Sequence, residues 1–210
     1  NYSTGEPVVF KTPHHTDFKR DHTHRIVDVA LATSAAPAYF PRHAFNNSQY
    51  VDGGLYANAP GALGLHEAHK FFNQDNDNVR LLAVGTMSSR FTVDPRRNRD
   101  GGVHDWGGWS PIKMSRRLFG LSISAQEVLT DLMLGHRLGE RYLHVDDELH
   151  DERARAVGLD VADENAREVL LGAATQQSKV CISKPAFRAF LEHSPSKPVF
   201  FYGENAQSRP

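Results

Sequence analysis

The sequence predicts an α/β fold, and three features carry that expectation. Short apolar runs of strand length alternate with longer segments whose apolar residues recur at helical spacing. One of them, Arg80 to Thr86 (RLLAVGT), is a continuous apolar run whose length suits a strand buried on both faces of a parallel sheet. The 210 residues, 40% of them hydrophobic, are enough for one medium domain, or a large part of one, with a substantial core.

Taken in order, Pro7-Val8-Val9-Phe10 is rich in β-formers and predicts a strand. A polar stretch with four histidines follows, from Thr12 to His24. Between Ile26 and Ala36, Ile26, Val29, Ala30 and Thr33 recur at helical spacing, and Pro37 ends the helix. A loop begins at Tyr39-Phe40-Pro41. Gln49-Tyr50-Val51 predicts a short strand broken by Gly53-Gly54, and Gly61 to Phe72 a helix with Pro60 just before its start.

After the Arg80–Thr86 strand, residues 88–111 hold two Gly-Gly pairs, two tryptophans and four arginines without periodicity. A connection of that length predicts a functional loop, a lid or a mobile insert. Ser122 to Leu138 reads as an amphipathic helix with Val128, Leu129, Leu132, Met133 and His136 along one side. Tyr142 to Val145 predicts a strand, Asn165 to Val180 a long helix, and Pro185 to Leu191 and Val199 to Tyr202 two short closing elements. There are no repeats and no internal linker.

The bulk numbers exclude some functions. A net charge of −1 gives no general attraction to a nucleic-acid polymer or an anionic surface. The single cysteine, Cys181, leaves no intrachain disulfide and no zinc-ribbon spacing, which fits a reducing compartment such as the cytoplasm. No apolar run approaches the roughly 20 residues of a membrane span, so any membrane contact is expected to be peripheral. The opening residues, Asn1 to Gly5, read as the interior of a longer protein.

Two segments bear on chemistry. The first is Ala32-Thr33-Ser34-Ala35-Ala36-Pro37-Ala38-Tyr39-Phe40-Pro41. The second is Tyr50-Val51-Asp52-Gly53-Gly54-Leu55-Tyr56-Ala57-Asn58-Ala59-Pro60. An Asp at the end of an apolar strand, followed by two glycines, is expected where the chain turns sharply with unusual dihedrals. Strand ends in α/β sheets are where catalytic groups gather. Asp-Gly-Gly by itself is equally an ordinary turn.

Together the two segments closely resemble the patatin-like phospholipase family, in which A-T-S-A-A-P-x-Y-F-P precedes a D-G-G/A motif with N-x-P after it. Asn58 and Pro60 stand in the expected places, and weaker similarity runs through residues 82–86 and 134–160. The resemblance implies a three-layer fold with a largely parallel sheet flanked by helices, of which residues 1–210 would be the C-terminal portion. It implies a Ser–Asp dyad without a histidine or a cofactor. Asp52 would be the general base, Gly53 and Gly54 its turn, and Ser34 a structural residue of the preceding helix end.

A serine hydroxyl is a poor nucleophile without an adjacent base, and a Gly-rich loop would supply the oxyanion donors. In the family, that loop and the G-x-S-x-G elbow lie N-terminal to D-G-G, and this sequence contains neither. The expected partner is therefore an N-terminal half carrying the nucleophile, and the chain by itself is expected to be inactive. Gly120-Leu121-Ser122-Ile123-Ser124 lacks the second glycine and a preceding apolar strand, so Ser122 is read as a helix cap.

The histidines suggest no metal site. His22-Thr23-His24 has no evident third ligand, and His66 and His69 miss the four-residue spacing of the zincin pattern. These, with His14 and His15, are read as solvated surface groups.

Arg96 and Arg97, with Arg90, Arg99, Trp106 and Trp109 nearby, offer bidentate phosphate donors beside flat stacking surfaces, suited to a lipid headgroup or a nucleotide effector. A solvated loop with both tryptophans packed on the domain is the alternative. The run from Gly85 to Ser89 and from Leu138 to Asp146 is most similar to the bacterial antiviral (CBASS) branch of the family. Its members are phospholipases switched on by a cyclic dinucleotide and directed at the cell's own membrane.

The expected function is thus hydrolysis of acyl esters of membrane phospholipids, acting peripherally on the inner membrane from the cytoplasm. The alternative is a nucleotide-sensing or regulatory module of the same fold without catalysis. Whether the parent protein is a homo-oligomer is left open.

Overall fold

The computed structural model describes residues 1–87, 94, 96, 101–198 and 200. Its order is α1 (Ile26–Thr33), β1 (His43–Phe45), β2 (Ser48–Tyr50), α2 (Gly54–Ala57), α3 (Gly61–Phe71), β3 (Leu81–Val84), α4 (Pro111–Leu138), β4 (Tyr142–Val145), α5 (Asp151–Ala156), α6 (Glu164–Ser183) and α7 (Pro185–Leu191). Strands and helices are interspersed, and the pair β3–β4 is parallel, in register from Leu81↔Tyr142 to Val84↔Val145. This is the α/β architecture expected of a parallel pair joined through a long helix.

Helix α4 is the longest element, and its ends are chemically specified. Ser110 caps it by accepting the Lys113 N–H, Pro111 takes the first helical position, and Gly139 ends it at φ +55°. It therefore starts eleven residues before the predicted Ser122, which lies inside the helix and caps nothing. The buried residues of α4 are Phe119, Leu134 and Leu138. Leu134 and Leu138 pack with Leu65 of α3 into the core, flanked by Val79, Leu81 and Tyr142. Full burial of each leucine is worth about 1.5–3 kcal/mol. The side of the helix that carries Val128, Leu129, Leu132, Met133 and His136 is a different one and is exposed, Val128 at 55% and Leu129 at 56%.

Three further expectations change. Pro7–Phe10 joins no strand among the described residues; Phe10 packs instead against His24, Phe45 and Tyr50. The loop after Phe40 contains β1, which pairs antiparallel with β2 around a two-residue turn. Asn46 and Asn47 both take positive φ there, as a tight hairpin of this kind requires. Among the described residues strand β3 has a single ladder neighbour, β4, and Val84 is 70% exposed, so these residues do not cover it on both faces.

Residues 88–93, 95 and 97–100 of the predicted 88–111 loop lie outside the description, as do 199 and 201–202 of the last predicted run. The described end of the loop is ordered into a 3-10 helix, Gly102–Trp106, leading into α4. Among the described residues no helix is long and apolar enough to cross a membrane.

Candidate active site

The two sequence segments meet at one backbone hydrogen bond. Ser34 ends α1 by returning its N–H and its Oγ–H to the carbonyl of Ala30, at 3.1 and 2.8 Å. The next residues, Ala35 and Ala36, are 3% and 4% exposed, small enough to let a second backbone come close. That backbone is Asp52, whose N–H donates to the Ala35 carbonyl at 3.0 Å. The A-T-S-A-A-P stretch is thus the platform on which the D-G-G turn sits.

Asp52 is half-buried, and its Oδ1 accepts the Gly54 N–H at 2.6 Å. The glycines do not serve unusual dihedrals, contrary to the expectation. Gly53 is right-handed helical at φ −67°, and Gly54 opens α2. Close approach is what matters at Gly54, where a Cβ would stand 3.1 Å from Asp52 Oδ1 and 3.0 Å from Asn58 Oδ1. The carboxylate is held by the first amide of a one-turn helix, where the helix dipole favours negative charge.

Asp52, Gly53, Gly54, Asn58 and Pro60 all line one cleft of about 420 Å³. Its other walls are largely apolar, from Val8, Phe10, Val29 and Leu63. The cleft thus sets a single carboxylate, that of Asp52, among largely apolar walls. Tyr56, at its edge, donates its hydroxyl to the Val8 carbonyl at 3.0 Å, and burial pushes that phenol's pKa up. Pro60 is the N-cap residue of α3, and Asn58 turns outward to donate Nδ2–H to Glu127 of α4 at 2.7 Å.

Arg96 is exposed on a turn and donates its N–H to Asp94 Oδ1 at 2.9 Å. It is not part of the cleft lining. Arg97, Arg90 and Arg99 lie outside the described residues. Trp109 is not packed on the domain: it is 90% exposed, edge-on to His104 at 5.5 Å.

Sequence reasoning missed two groups. Asp28, in the first turn of α1, is buried, with Arg25 Nε at 2.7 Å and His43 Nε2 at 3.2 Å. The Arg25 guanidinium, assisted by His43, holds the Asp28 carboxyl below its ordinary value against the opposing effect of burial. The i,i+3 Arg–Asp spacing was a signal for the first half of this cluster, but nothing local foretold His43. In the second group, Tyr142 donates to Asp131 Oδ1 at 2.8 Å and His144 Nδ1 lies 3.0 Å from the same oxygen. Burial, then Asp131, pushes the Tyr142 phenol up.

His14 and His15 are not solvated loop residues. His14 stacks on Phe72 at 5.1 Å and approaches Glu67 at 3.4 Å, and His15 packs edge-on to Phe71. His22 and His66 are exposed, while His24 packs against Phe10 and Phe45. Among the described residues no group of three His, Cys, Asp or Glu is placed to hold a metal ion.

Comparison with known proteins bears on the same segments. The family model described as patatin-like phospholipase matches residues 4–63, which include both. A cGAMP-activated phospholipase of Pseudomonas aeruginosa is 40% identical over 207 residues, covering 98% of this chain and 60% of that protein. One of Escherichia coli is 33% identical over 213 residues, covering 94% and 58%. One of Vibrio cholerae serotype O1 is 35% identical over 176 residues, covering 77% and 48%. The chain therefore spans at most 60% of the length of these three relatives.

Proposed function

Since this chain belongs to the patatin-like phospholipase family, we propose that it forms the base-bearing part of a phospholipase that cleaves acyl esters of membrane lipids. The observation that carries the reading is the half-buried Asp52 carboxylate in a largely apolar cleft, seated on the A-T-S-A-A-P segment. Asp52 acts as general base of a Ser–Asp dyad. It takes the proton as the serine oxygen attacks the acyl carbonyl, and the alcohol leaves with that proton. Asp52 then deprotonates the water that attacks the acyl-enzyme and returns that proton to the serine oxygen as the fatty acid leaves. The reading assigns the dyad's serine and the oxyanion donors to residues outside 1–210, which hold no G-x-S-x-G. By itself this chain is inactive.

The relatives' names support a cyclic dinucleotide as activator, and the exposed Arg96 and Trp109 offer it phosphate pairing and stacking. The protein then works peripherally on the inner membrane from the cytoplasm, in antiphage defence. A purely nucleotide-sensing module has less support, because the cleft is built around Asp52 while Arg96 lies outside its lining. The test is free fatty acid release from phospholipid vesicles by the intact protein, with and without cGAMP. Release stimulated by cGAMP, with Arg96→Ala and Arg97→Ala each raising the concentration required, is the expected result. No release under either condition contradicts the reading.

A further inference from the structure

None of α4 lies in the two motifs that mark the candidate site, yet its polar side chains hold the turn that carries Asp52. Gln126 Nε2 donates to the Leu55 carbonyl at 2.6 Å and to Ser122 Oγ at 3.0 Å. The Oε1 of the same amide accepts the Asn58 N–H at 3.4 Å. One residue on, Glu127 Oε1 accepts the Asn58 side-chain amide at 2.7 Å. Leu55 and Asn58 lie near the start and just past the end of α2, so a single side chain ties down both ends of that helix.

A helix of four residues does not sustain itself, since one turn fixes several dihedrals for a single hydrogen bond. The geometry of α2 is therefore set from outside. Its first amide, at Gly54, holds the Asp52 carboxylate, and Asn58 Oδ1 stands against Gly54 on the same side. Through this chain of contacts, the place of the carboxylate in the cleft depends on α4.

We propose that Gln126, assisted by Glu127, is the positioning residue of the Asp52 base. It touches neither substrate nor the reacting atoms, and it acts by fixing α2. The proposal rests on Asp52 being the base. Because α4 is one continuous helix from Pro111 to Leu138, the residues that open it, next to Trp109, belong to the same helix as this clamp.

The test uses the intact protein and a soluble short-chain ester, so that vesicle binding does not enter the readout. Gln126→Ala is expected to lower kcat about ten- to hundredfold, the range a misplacement of about 1 Å produces, with KM within about twofold. Gln126→Glu keeps the shape but, when ionised, cannot donate to the Leu55 carbonyl. It covers the case in which the alanine variant does not fold. Its kcat is expected to fall at pH 8. As the pH is lowered toward about 4.3, the ordinary glutamate value, its ratio to wild type is expected to recover, because a protonated carboxyl donates again.

Wild-type kcat in both variants, whatever their melting temperatures, overturns the proposal, as does a pH-independent ratio for Gln126→Glu. Asp52→Asn is measured alongside. If it loses activity while Gln126→Ala does not, only the positioning role falls. If Asp52→Asn is fully active, the base reading falls and takes this proposal with it.

Discussion

Substituting Gly85 by alanine probes how β3 and β4 are joined at their C-terminal ends. A methyl group there would stand 2.5 Å from Asp146 Oδ1 and closer still to the rest of that carboxyl group. Contacts between nonbonded heavy atoms are normally about 3.5–4.0 Å, so the carboxylate must leave. It cannot do so freely, because Oδ1 accepts the N–H of Met87 at 3.0 Å and of Asp147 at 2.9 Å.

Overpacking of this kind costs about 1–3 kcal/mol, and hydrogen bonds to a charged group about 1.5–3 kcal/mol each where water does not replace them. Asp146 is only half-buried, so about 3 kcal/mol in all is expected for Gly85→Ala. Asp146→Ala alone loses the hydrogen bonds, about 2 kcal/mol, and makes room for the methyl. The double variant should therefore be no less stable than Asp146→Ala, a coupling of about 3 kcal/mol in the thermodynamic cycle. Urea denaturation of the four proteins at constant m reads this directly. A Gly85→Ala variant within about 0.5 kcal/mol of wild type, or strict additivity in the double variant, would refute the packing argument.

Two further outcomes are expected from the framework around the cleft. Leu134 is 2% exposed and packs on Leu65 and Leu138, so Leu134→Ala should cost about 3 kcal/mol in the same denaturation assay. A loss below about 1 kcal/mol would mean that α3 and α4 do not share this core. Asp28 has a depressed folded-state pKa, so its contribution is complete above its unfolded value of about 3.9 and disappears as pH falls through the folded one. Wild-type stability should therefore drop more steeply below about pH 4 than that of Asp28→Asn, which should already be less stable at pH 7. Parallel stability curves for the two proteins in that range would show that the Arg25–Asp28–His43 cluster contributes nothing.

The residues of the candidate site were the most legible as a local unit, because the constraint on them is local and dense. Asp52, Gly54 and Asn58 stand within a few positions of one another, and the platform of Ala35 and Ala36 is marked by its small side chains. What the sequence misled about was the physical reason: Gly54 serves close approach, not unusual dihedrals, and a Cβ at Gly53 would meet only an ordinary contact with Tyr56.

Helix α4 shows a different limit. Periodicity finds an apolar stripe but does not choose between two, and Leu134 and Leu138 pack here while Val128 and Leu129 face outward. Its start was misplaced for a related reason. Ser122 is as good a cap by type as Ser110, and only Pro111 directly after Ser110 distinguishes them. The hairpin of β1 and β2 was announced by Asn46-Asn47, a pair that tolerates positive φ, yet its strands are too short for alternation to register. The grip of Gln126 and Glu127 on the Asp52 turn spans about seventy residues, and no local pattern encodes a contact of that separation.

The role given to Asp52 stands on one comparison, the rate of fatty acid release from phospholipid vesicles by intact wild-type protein and by Asp52→Asn. Asparagine keeps an oxygen for the Gly54 N–H and so should leave the melting temperature within a few degrees, while removing the group that accepts the serine proton. A fall of about 10²–10⁴-fold with the fold intact is the predicted result. An unchanged rate in a folded Asp52→Asn protein would contradict it.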